Sequence, residues 1–269
     1  MADNPRPTSL NAIVAVTRAR VEVLRTRATE LERAARRSPT PRRFPRQSGT
    51  TVGVIAEVKR RSPSQGAIRE DLDPVAHARA YERGGAVAVS VLTDEAHFGG
   101  SIDDLRHVAA AVAVPLLRKD FVIDEAQVYE ARAAGASAVL LIARILEATQ
   151  LQRLARIVTS LAMMPLIEVH DATELDAALA AAEDGAMLGI NARDLDTFRT
   201  DLSAAEALIA RIPASVPVVA ESGIKTRTDV ERLASAGADF VLVGTSVARQ
   251  ADPEQAVRAL VGVRRTGRT

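Results

Sequence analysis

The stretch that decides the fold reads V-G-V-I-A-E-V-K-R-R-S-P-S-Q-G and runs from Val52 to Gly66. Up to Val58 it is apolar except at Glu57, which is typical of a strand in a parallel sheet that is covered on both faces. Alternate side chains of a strand point to the same face, so Glu57 and Lys59 share one face at the end of the run. The stretch therefore predicts a buried strand that ends in a pair of charged side chains.

Similar runs recur along the chain, at residues 52–58, 86–92, 114–117, 138–142, 164–169, 187–190, 216–220 and 240–243. Each run is followed by a helical pattern rich in Ala, Leu, Arg and Glu, and the runs start roughly 20 to 35 residues apart, which is the length of one βα unit. This number of units in about 215 residues fits a closed barrel better than an open sheet. The predicted fold class is α/β, a single (β/α)8 TIM barrel with an N-terminal helical extension.

The N-terminal region has a different pattern. Ser9 is the predicted N-cap of a helix whose inner positions step by four and three residues, at Leu10, Val14, Thr17, Val21, Leu24, Ala28 and Leu31. Residues 33–46 carry six Arg, three Pro and no acidic residue, and the prolines predict an extended connector. We therefore divide the chain into a helical extension with its Arg- and Pro-rich connector (1–50), the barrel (51–262) and a frayed C-terminal tail (263–269).

Composition narrows the class of protein. Lys and Arg total 35 against 34 Asp and Glu, so the net charge gives no reason to expect a nucleic-acid or membrane partner. The chain has no Cys, which excludes thiolate chemistry and suits a reducing cytoplasm, and its four His form no dense cluster that predicts a metal site. Neither a secretory signal nor an apolar run of membrane-spanning length is present. We expect a soluble cytoplasmic enzyme without a metal.

The predicted strand ends carry the polar side chains. In a (β/α)8 barrel the active site lies at the C-terminal ends of the strands. The ionisable or amide residues at these ends are Glu57, Lys59, Lys119, Glu168, Asn191, Arg193 and Glu221. Any single one could be a structural ion pair, because a buried charge needs a partner. Since stability devices belong at the opposite face of the barrel, their convergence at one rim predicts a catalytic cluster.

The last two strand ends predict an anion site. Ser222-Gly223 and Gly244-Thr245 place small and hydroxyl-bearing residues where this fold commonly binds phosphate. Glycine lets the backbone approach closely, and helix N-terminal N–H groups then meet the anion. Each motif alone is also compatible with an ordinary βα turn, but together they predict a phosphorylated small-molecule substrate.

At this point the motifs resemble those of the indole-3-glycerol-phosphate synthase family. The resemblance covers residues 52–249 and occurs in the family's order, at residues 55–66, 92–101, 117–121, 167–170, 189–191, 193–195 and 220–224. It implies a carbon–carbon lyase of tryptophan biosynthesis that uses no cofactor. The implied reaction converts 1-(2-carboxyphenylamino)-1-deoxyribulose 5-phosphate to indole-3-glycerol phosphate, carbon dioxide and water.

The same resemblance implies roles for individual residues. Lys119 would be the general acid, Glu168 its acid–base partner, and Lys59 the residue that steers the substrate carboxylate and assists dehydration. Glu57 and Asn191 would hold substrate hydroxyls, Arg193 would add positive charge near the carboxylate, and Glu221 would orient the cationic cluster. The remaining implied substrate contacts are phosphate ligands and apolar walls, at Ser62, Ser222, Gly223, Gly244, Thr245, Phe98 and Phe121.

The resemblance further implies that the N-terminal helix covers the barrel mouth, and the polar loop 60–72, broken by Pro63 and Gly66, is expected to close over substrate. A monomer is expected, with a homodimer as the alternative.

The alternative function is another phosphate-binding barrel of amino-acid biosynthesis acting on a sugar phosphate. Among such barrels, phosphoribosylanthranilate isomerases use a Cys base and histidine-pathway barrels use Asp where this chain has Glu57 and Glu168. A different class, a binder of RNA or an acidic partner through residues 33–46, is disfavoured because only one aromatic residue, Phe44, lies among those arginines.

Overall fold

The structure is a computed structural model that describes residues 9–46, 49–63, 66–182, 185–194 and 197–268. Parts of the predicted extension (1–8 and 47–48), of the loop after the first strand (Ser64 and Gln65) and of the tail (Thr269) lie outside these residues, as does Leu195 of the motif at 193–195. Parallel strands close into an eight-stranded barrel, which confirms the predicted fold class. A separate antiparallel hairpin follows the first strand.

The strands are β1 (Gly53–Val58), β2 (Arg61–Ser62), β3 (Gly66–Ala67), β4 (Ala88–Leu92), β5 (Leu116–Lys119), β6 (Ala138–Ile142), β7 (Met164–Val169), β8 (Met187–Asn191), β9 (Val218–Glu221) and β10 (Phe240–Val243). The barrel is built from all of them except the β2–β3 hairpin, and it closes where β1 pairs with β10, for example at Ile55 opposite Leu242. The strands predicted at 114–117 and 216–220 begin and end about two residues later than expected, because their last residues complete ladders with β4 and β8.

The helices are α1 (Leu10–Arg25), α2 (Ala28–Arg37), α3 (Pro74–Arg83), α4 (Glu95–Phe98), α5 (Ile102–Ala111), α6 (Glu125–Ala133), α7 (Ala148–Ser160), α8 (Ala172–Ala182), α9 (Leu202–Ile209), α10 (Arg227–Ser235), α11 (Thr245–Ala248) and α12 (Pro253–Arg258). A 3-10 turn, Ala143–Ile145, follows β6. Within the described part of the chain, no helix combines the length and the apolar character needed to cross a membrane.

Alternation along the strands produces two cores. In β1, Val54, Ala56 and Val58 face the layer between strands and helices, whereas Ile55 belongs to the cluster inside the barrel. The same alternation puts Leu117, Leu166, Met187, Val219 and Phe240 inside the barrel. Because successive side chains of a strand point to opposite faces, each inward row continues, two residues later, toward the carboxyl end of its strand. These rows deliver the polar residues described below.

The N-terminal extension differs from the predicted single helix and connector. Ser9 caps α1 as predicted, since its side chain accepts from the N–H of Ala12. The helix breaks at Thr26 and Arg27, however, and α2 continues to Arg37, so the extended connector begins at Ser38 rather than at residue 33. The prediction of an extended segment from residue 33 was wrong because α2 packs against α6, and the prolines act only from residue 39 onward.

The extension contacts both ends of the barrel. Ile13 of α1 and Phe44 of the connector both belong to the cluster inside the barrel. The connector passes the base, where Arg46 donates to the carbonyl oxygen of Gly185 over 2.8 Å, just before β8. Leu10 and Ile13 instead line the cavity at the mouth. The extension is therefore part of the wall of the functional end of the barrel.

The described part of the C-terminal tail is anchored, which differs from the frayed tail expected for 263–269. Val263 is buried, and Arg264 forms a β-bridge with Thr51. Arg265 and Arg268 both pair with Asp239, the residue before β10, and Arg268 also donates to the carbonyl oxygen of Val216 over 2.5 Å. Backbone and ionic contacts to distant segments anchor this tail at the base of the barrel. Because the partners are distant in sequence, the sequence of the tail itself does not predict these contacts.

Candidate active site

The inward rows of six strands end in polar residues or in glycine at one end of the barrel. Stepping by two, Ile55 leads to Glu57 and Lys59, and Leu166 leads to Glu168. The other rows continue in the same way to Lys119, Asn191, Glu221 and Gly244. The period of two that fills the barrel interior with apolar residues thus also brings these side chains to the mouth.

The mouth opens into a cavity of about 740 Å³. Its lining includes every residue that the sequence suggested for the site: Glu57, Lys59, Ser62, Phe98, Lys119, Phe121, Glu168, Asn191, Arg193, Glu221, Ser222, Gly223, Gly244 and Thr245. A volume of this size accommodates a small phosphorylated molecule. The structure therefore brings these residues together in one concave site, although the first and the last of them, Glu57 and Thr245, are 188 positions apart in the sequence.

Lys119 is the centre of the charged cluster. Its Nζ lies 2.8 Å from Oε2 of Glu168 and 2.7 Å from Oε2 of Glu221, and its side chain is only 14% exposed. Burial alone would lower the pKa of Lys119, but the charges of Glu168, Glu221 and Glu57 outweigh it and raise the pKa above its usual value. Lys119 is therefore an ammonium throughout the neutral range.

The carboxyl groups of Glu168 and Glu221, which both contact Lys119, have different protonation states. Burial raises the pKa of Glu221 to about 8, with help from the charge of Glu168 and against the opposing effect of Lys119. Burial also acts on Glu168, but there the charge of Lys119 and the contacts with His170 prevail and hold its pKa well below the usual value. Two carboxyl groups that meet at one ammonium do not both ionise readily, so the cluster combines an ionised Glu168 with a Glu221 that retains a proton.

A second ion pair lies across the cavity. Nζ of Lys59 is 2.8 Å from Oε1 of Glu57, and the Lys59 side chain remains 17% exposed. A Cβ on Gly244 would lie 2.5 Å from Oε1 of Glu57, so the glycine at this position provides the space that the carboxylate occupies. Lys59 is thus held near the strand end with its ammonium at the cavity.

Glu168 is fixed from three sides. Besides Lys119, the Nδ2 group of Asn191 donates to its Oε1 over 3.1 Å, and Nε2 of His170 lies 3.2 Å from the same oxygen. Sequence reasoning did not single out His170, although it stands only two residues after Glu168. The period of two that placed Glu57 beside Lys59 would have found it.

Hydroxyl-bearing and glycine residues after β9 and β10 line one part of the cavity. Ser222 and Gly223 follow β9 with positive φ values of 66° and 77°. Gly244 and Thr245 lie where β10 leads into α11, and Ser62 of the β2–β3 hairpin lines the same cavity. Two cationic side chains, Lys225 and Arg249, also line the cavity. This part of the cavity suits a phosphate group.

Apolar side chains line another part of the cavity. The rings of Phe98 and Phe121 are 6.2 Å apart between centroids, with a tilt of 39°. Leu10 and Ile13 of α1 line the cavity as well, and sequence reasoning had not assigned them to the site. An aromatic substrate ring fits such walls, while its anionic groups meet the charged residues.

The β2–β3 hairpin, which contains Ser62, is attached to the following βα unit. Arg60 donates to the carbonyl oxygen of Gly99 over 2.9 Å and pairs with Asp104 at 2.6 Å. Arg61 donates to the carbonyl oxygens of Glu95 and Ala96. These contacts place Ser62 at the cavity; closure of this loop over substrate stays a prediction.

A buried ionic network lies behind Lys119, and sequence reasoning did not predict it. Both oxygens of Asp120 are bound: Arg20 of α1 and the N–H of Phe121 donate to one, and Arg118 and Thr93 donate to the other. Arg118 is 1% exposed and points away from the barrel interior toward α6. The network connects the strand that carries Lys119 to α1, which lines part of the cavity.

Gly189 offers a direct test of this packing. It is the inward residue of β8 beside β9, and a Cβ at this position would overlap Oε1 of Glu221 and lie 3.3 Å from its Cδ. We expect Gly189→Ala to fold, because its φ is not left-handed, but to lower kcat by about 10- to 100-fold since Glu221 must move away from Lys119. Steady-state kinetics will measure this. In Gly267→Ala, where a Cβ meets nothing within 4 Å, kcat should be unchanged, and equal kcat values for both variants would contradict the explanation.

Metal binding has no support in the residues that the structure describes, since no group of three or more His, Asp or Glu side chains among them could hold an ion. The polar side-chain groups that line the cavity are ammonium, guanidinium, carboxyl, amide and hydroxyl groups. Together with the glycine and hydroxyl-bearing residues after β9 and β10, they are typical of a (β/α)8-barrel enzyme that acts on a phosphorylated small molecule.

Comparison with known proteins identifies the family. The family model described as indole-3-glycerol phosphate synthase matches residues 10–260. A protein of that name from Rhodopirellula baltica is 48% identical over 236 residues, which cover 87% of this chain and 90% of the relative. Another from Geobacillus thermodenitrificans is 47% identical over 83% of this chain and 88% of the relative. The chain belongs to the indole-3-glycerol phosphate synthase family, and it is a carboxy-lyase of tryptophan biosynthesis.

Solved structures resemble the chain in fold. 3-Hexulose-6-phosphate synthase from Salmonella typhimurium has a TM-score of 0.59 at 16% identity, over 78% of this chain and 96% of that one. Thiamine phosphate pyrophosphorylase from Pyrococcus furiosus has a TM-score of 0.56 at 18% identity, over 78% and 93%. At this identity the likeness shows the barrel fold alone.

Proposed function

We propose that the Lys119–Glu168–Glu221 cluster carries out the acid–base steps of the indole-3-glycerol phosphate synthase reaction in this protein. The observation that carries the proposal is the pair of short contacts from Nζ of Lys119, 2.8 Å to Glu168 and 2.7 Å to Glu221, at the base of the cavity. The substrate is 1-(2-carboxyphenylamino)-1-deoxyribulose 5-phosphate. The function left open as the alternative, another sugar-phosphate barrel, is disfavoured by the family match.

Ring closure needs an acid at the ketone. The aromatic carbon that bears the carboxylate forms a bond to the ketone carbon, and the electron pair of the carbonyl moves to oxygen, which must be protonated. Lys119 supplies this proton because Glu168 and Glu221 keep it an ammonium. Carbon dioxide then leaves with the electrons of its bond returning to the ring, which restores aromaticity. Glu221, which retains a proton, is in contact with Lys119 and able to return one to it.

Dehydration needs a base and an acid. The hydroxyl group formed from the ketone leaves as water, while the neighbouring nitrogen-bearing carbon loses a proton to form the indole double bond. Glu168 is the base, because its contacts hold its pKa well below the usual value and keep it ionised. Lys59 assists departure of the hydroxyl group from the opposite side of the cavity, where Glu57 holds its ammonium.

The remaining residues hold the substrate. Lys59 and Arg193 attract the carboxylate, and Asn191, with Glu57, binds hydroxyl groups of the sugar chain. The phosphate is bound by Ser62, Ser222, Gly223, Gly244 and Thr245. Phe98 and Phe121 enclose the aromatic ring. All of these residues line the same cavity, which supports a single bound orientation with the phosphate and the aromatic ring at different parts of the cavity.

Glu168→Gln tests the proposal. The amide keeps the shape of the side chain but cannot accept the proton, so kcat should fall by about 100-fold or more. The measurement is the fluorescence of the indole product formed from the anilino-ribulose phosphate. His107→Gln on the exposed face of α5 is the control and should retain full activity. Retention of most activity by Glu168→Gln would exclude Glu168 as the base.

We also infer that the protein acts in the cytoplasm as a monomer, with a homodimer as the alternative. The absence of Cys suits a reducing compartment. Among the described residues the exposed large apolar side chains are Val16 and Val23 of α1, which form too small a surface for an obligate interface. Residues 51–262 are proposed as the catalytic unit, with the extension completing its mouth.

A further inference from the structure

His170 lies immediately behind the proposed base. It follows β7, two residues after Glu168, and its side chain is 1% exposed. One ring nitrogen, Nε2, is 3.2 Å from Oε1 of Glu168, and the other, Nδ1, is 3.3 Å from Oε2 of Glu174. The imidazole is thus held between two carboxylates, one at the cavity and one on α8.

The outer carboxylate is itself fixed. Oε2 of Glu174 accepts a hydrogen bond of 2.8 Å from the backbone N–H of His170. Oε1 of Glu174 accepts a hydrogen bond of 2.5 Å from Nε of Arg144. Arg144, on the 3-10 turn after β6, also pairs with Asp171 at 2.7 Å. A chain of contacts therefore runs from Arg144 through Glu174 and His170 to Glu168, and it connects the barrel mouth to rigid elements on the outer side.

We propose that His170 is a positioning residue: as an imidazolium held by Glu174, it keeps the carboxylate of Glu168 ionised and oriented for proton abstraction. The inference rests on the proposed role of Glu168 as the base. Hydrogen bonds from Lys119 and Asn191, together with the 3.2 Å ion-pair contact of His170, leave the carboxylate of Glu168 little freedom to rotate. Among the three, His170 is turned away from the cavity, since the lining includes the other two but not this residue.

The charge of His170 follows from its neighbours. Burial disfavours the imidazolium, but hydrogen bonds and charges from Glu168 and Glu174 outweigh burial and raise the pKa of His170 to about 9. Both ring nitrogens are then donors at neutral pH. The charged or titratable groups around it are Glu168 on β7, Glu174 on α8, Arg144 on the 3-10 turn, Asp171 before α8, Asp194 after β8, and, beyond Glu168, Lys119 and Glu221.

His170→Gln tests the role of the charge, because glutamine retains an N–H donor but carries no charge. Loss of the imidazolium weakens the preference of Glu168 for its ionised form. We expect the acidic limb of the pH profile of kcat to move up by about one unit, kcat at neutral pH to fall by about 10-fold, and KM to change by less than about twofold. An unmoved limb with kcat within twofold of the parent would overturn the inference.

Two further variants separate positioning from stability. His77→Gln removes a buried histidine of α3 outside the site, and it should lower the unfolding midpoint without moving the acidic limb. Glu174→Gln leaves His170 in place but removes its anchor, and it should move the limb in the same direction by a smaller amount. If His170→Gln does not fold, this second variant decides: a shift supports the inference, and an unmoved limb overturns it.

Failure of the inference about His170 can be distinguished from failure of the proposed function. If Glu168→Gln is inactive while both His170→Gln and Glu174→Gln keep the parental pH profile, only the inference about His170 fails. If Glu168→Gln is itself active, the assignment of the base fails, and no role for His170 in positioning it remains.

Discussion

Replacing Lys119 with alanine is expected to lower kcat by about 10²–10⁴-fold while the barrel still folds. The variant removes the proton donor for the ketone and also the charge that balances Glu168 and Glu221. The protein tolerates this loss because Glu221, whose pKa is already raised to about 8, retains a proton and limits the repulsion between the two carboxyl groups. The same fluorescence assay, together with an unfolding curve, measures both effects.

The control for Lys119→Ala is Lys225→Ala. Lys225 is an exposed cation that lines the outer part of the same cavity, and its loss should raise KM more than it lowers kcat. If Lys119→Ala acted only by weakening the attraction of the substrate, it too would raise KM more than it lowers kcat. Turnover by Lys119→Ala within about tenfold of the parent, with the fold intact, would show that another group protonates the ketone.

The second large effect is expected on stability, from Asp120→Ala. This side chain is fully buried, and Arg118 and Arg20 lower its pKa against the effect of burial. Its removal leaves the buried guanidinium of Arg118 without one partner and releases Arg20 of α1, so the free energy of unfolding should fall by about 3–5 kcal/mol. Urea denaturation measures the change. Faster hydrogen exchange in α1 should accompany it, because the helix loses an anchor at the mouth.

Asp103→Ala is the matched control, since it removes an exposed ion pair with Arg106 on α5. The free energy of unfolding should change there by at most about 0.5 kcal/mol. Arg20→Ala separates the two parts of the Asp120 effect, because it frees α1 but leaves Arg118 paired. If Asp120→Ala were no less stable than Asp103→Ala, the buried network would not be a stabilising element of this barrel.

Much of the site could be predicted from sequence because it depends on a strand's period of two. Once the run ending at Val58 was recognised as a strand, Glu57 and Lys59 had to share a face, and the same reasoning placed Glu168 and Glu221 at the mouth. His170 was accessible to that reasoning but lacked a visible partner, since Glu174 lies on the following helix. The partners of Asp120 were not accessible, because Arg20 precedes it by 100 positions.

Errors in the prediction of secondary structure arose where distant contacts decide. Residues 33–37 are helical because α2 packs on α6, and residues 263–268 are ordered because Asp239 binds two arginines of the tail. Neither contact leaves a periodic pattern in the segment itself. Local propensity placed the end of the N-terminal helical region too early, and it gave no indication that residues 263–268 are ordered.

By itself, the sequence determined the barrel, the order of its strands and the identity of the polar residues at the strand ends, because alternation and segment length are local properties. The tertiary structure alone decided which charges meet: that Lys119 is shared by Glu168 and Glu221, that Gly189 and Gly244 make room for carboxylates, and that α1 forms part of the cavity wall. The physical reason is that a protonation state depends on the burial and the distance of its neighbours, and both are set only when the barrel closes.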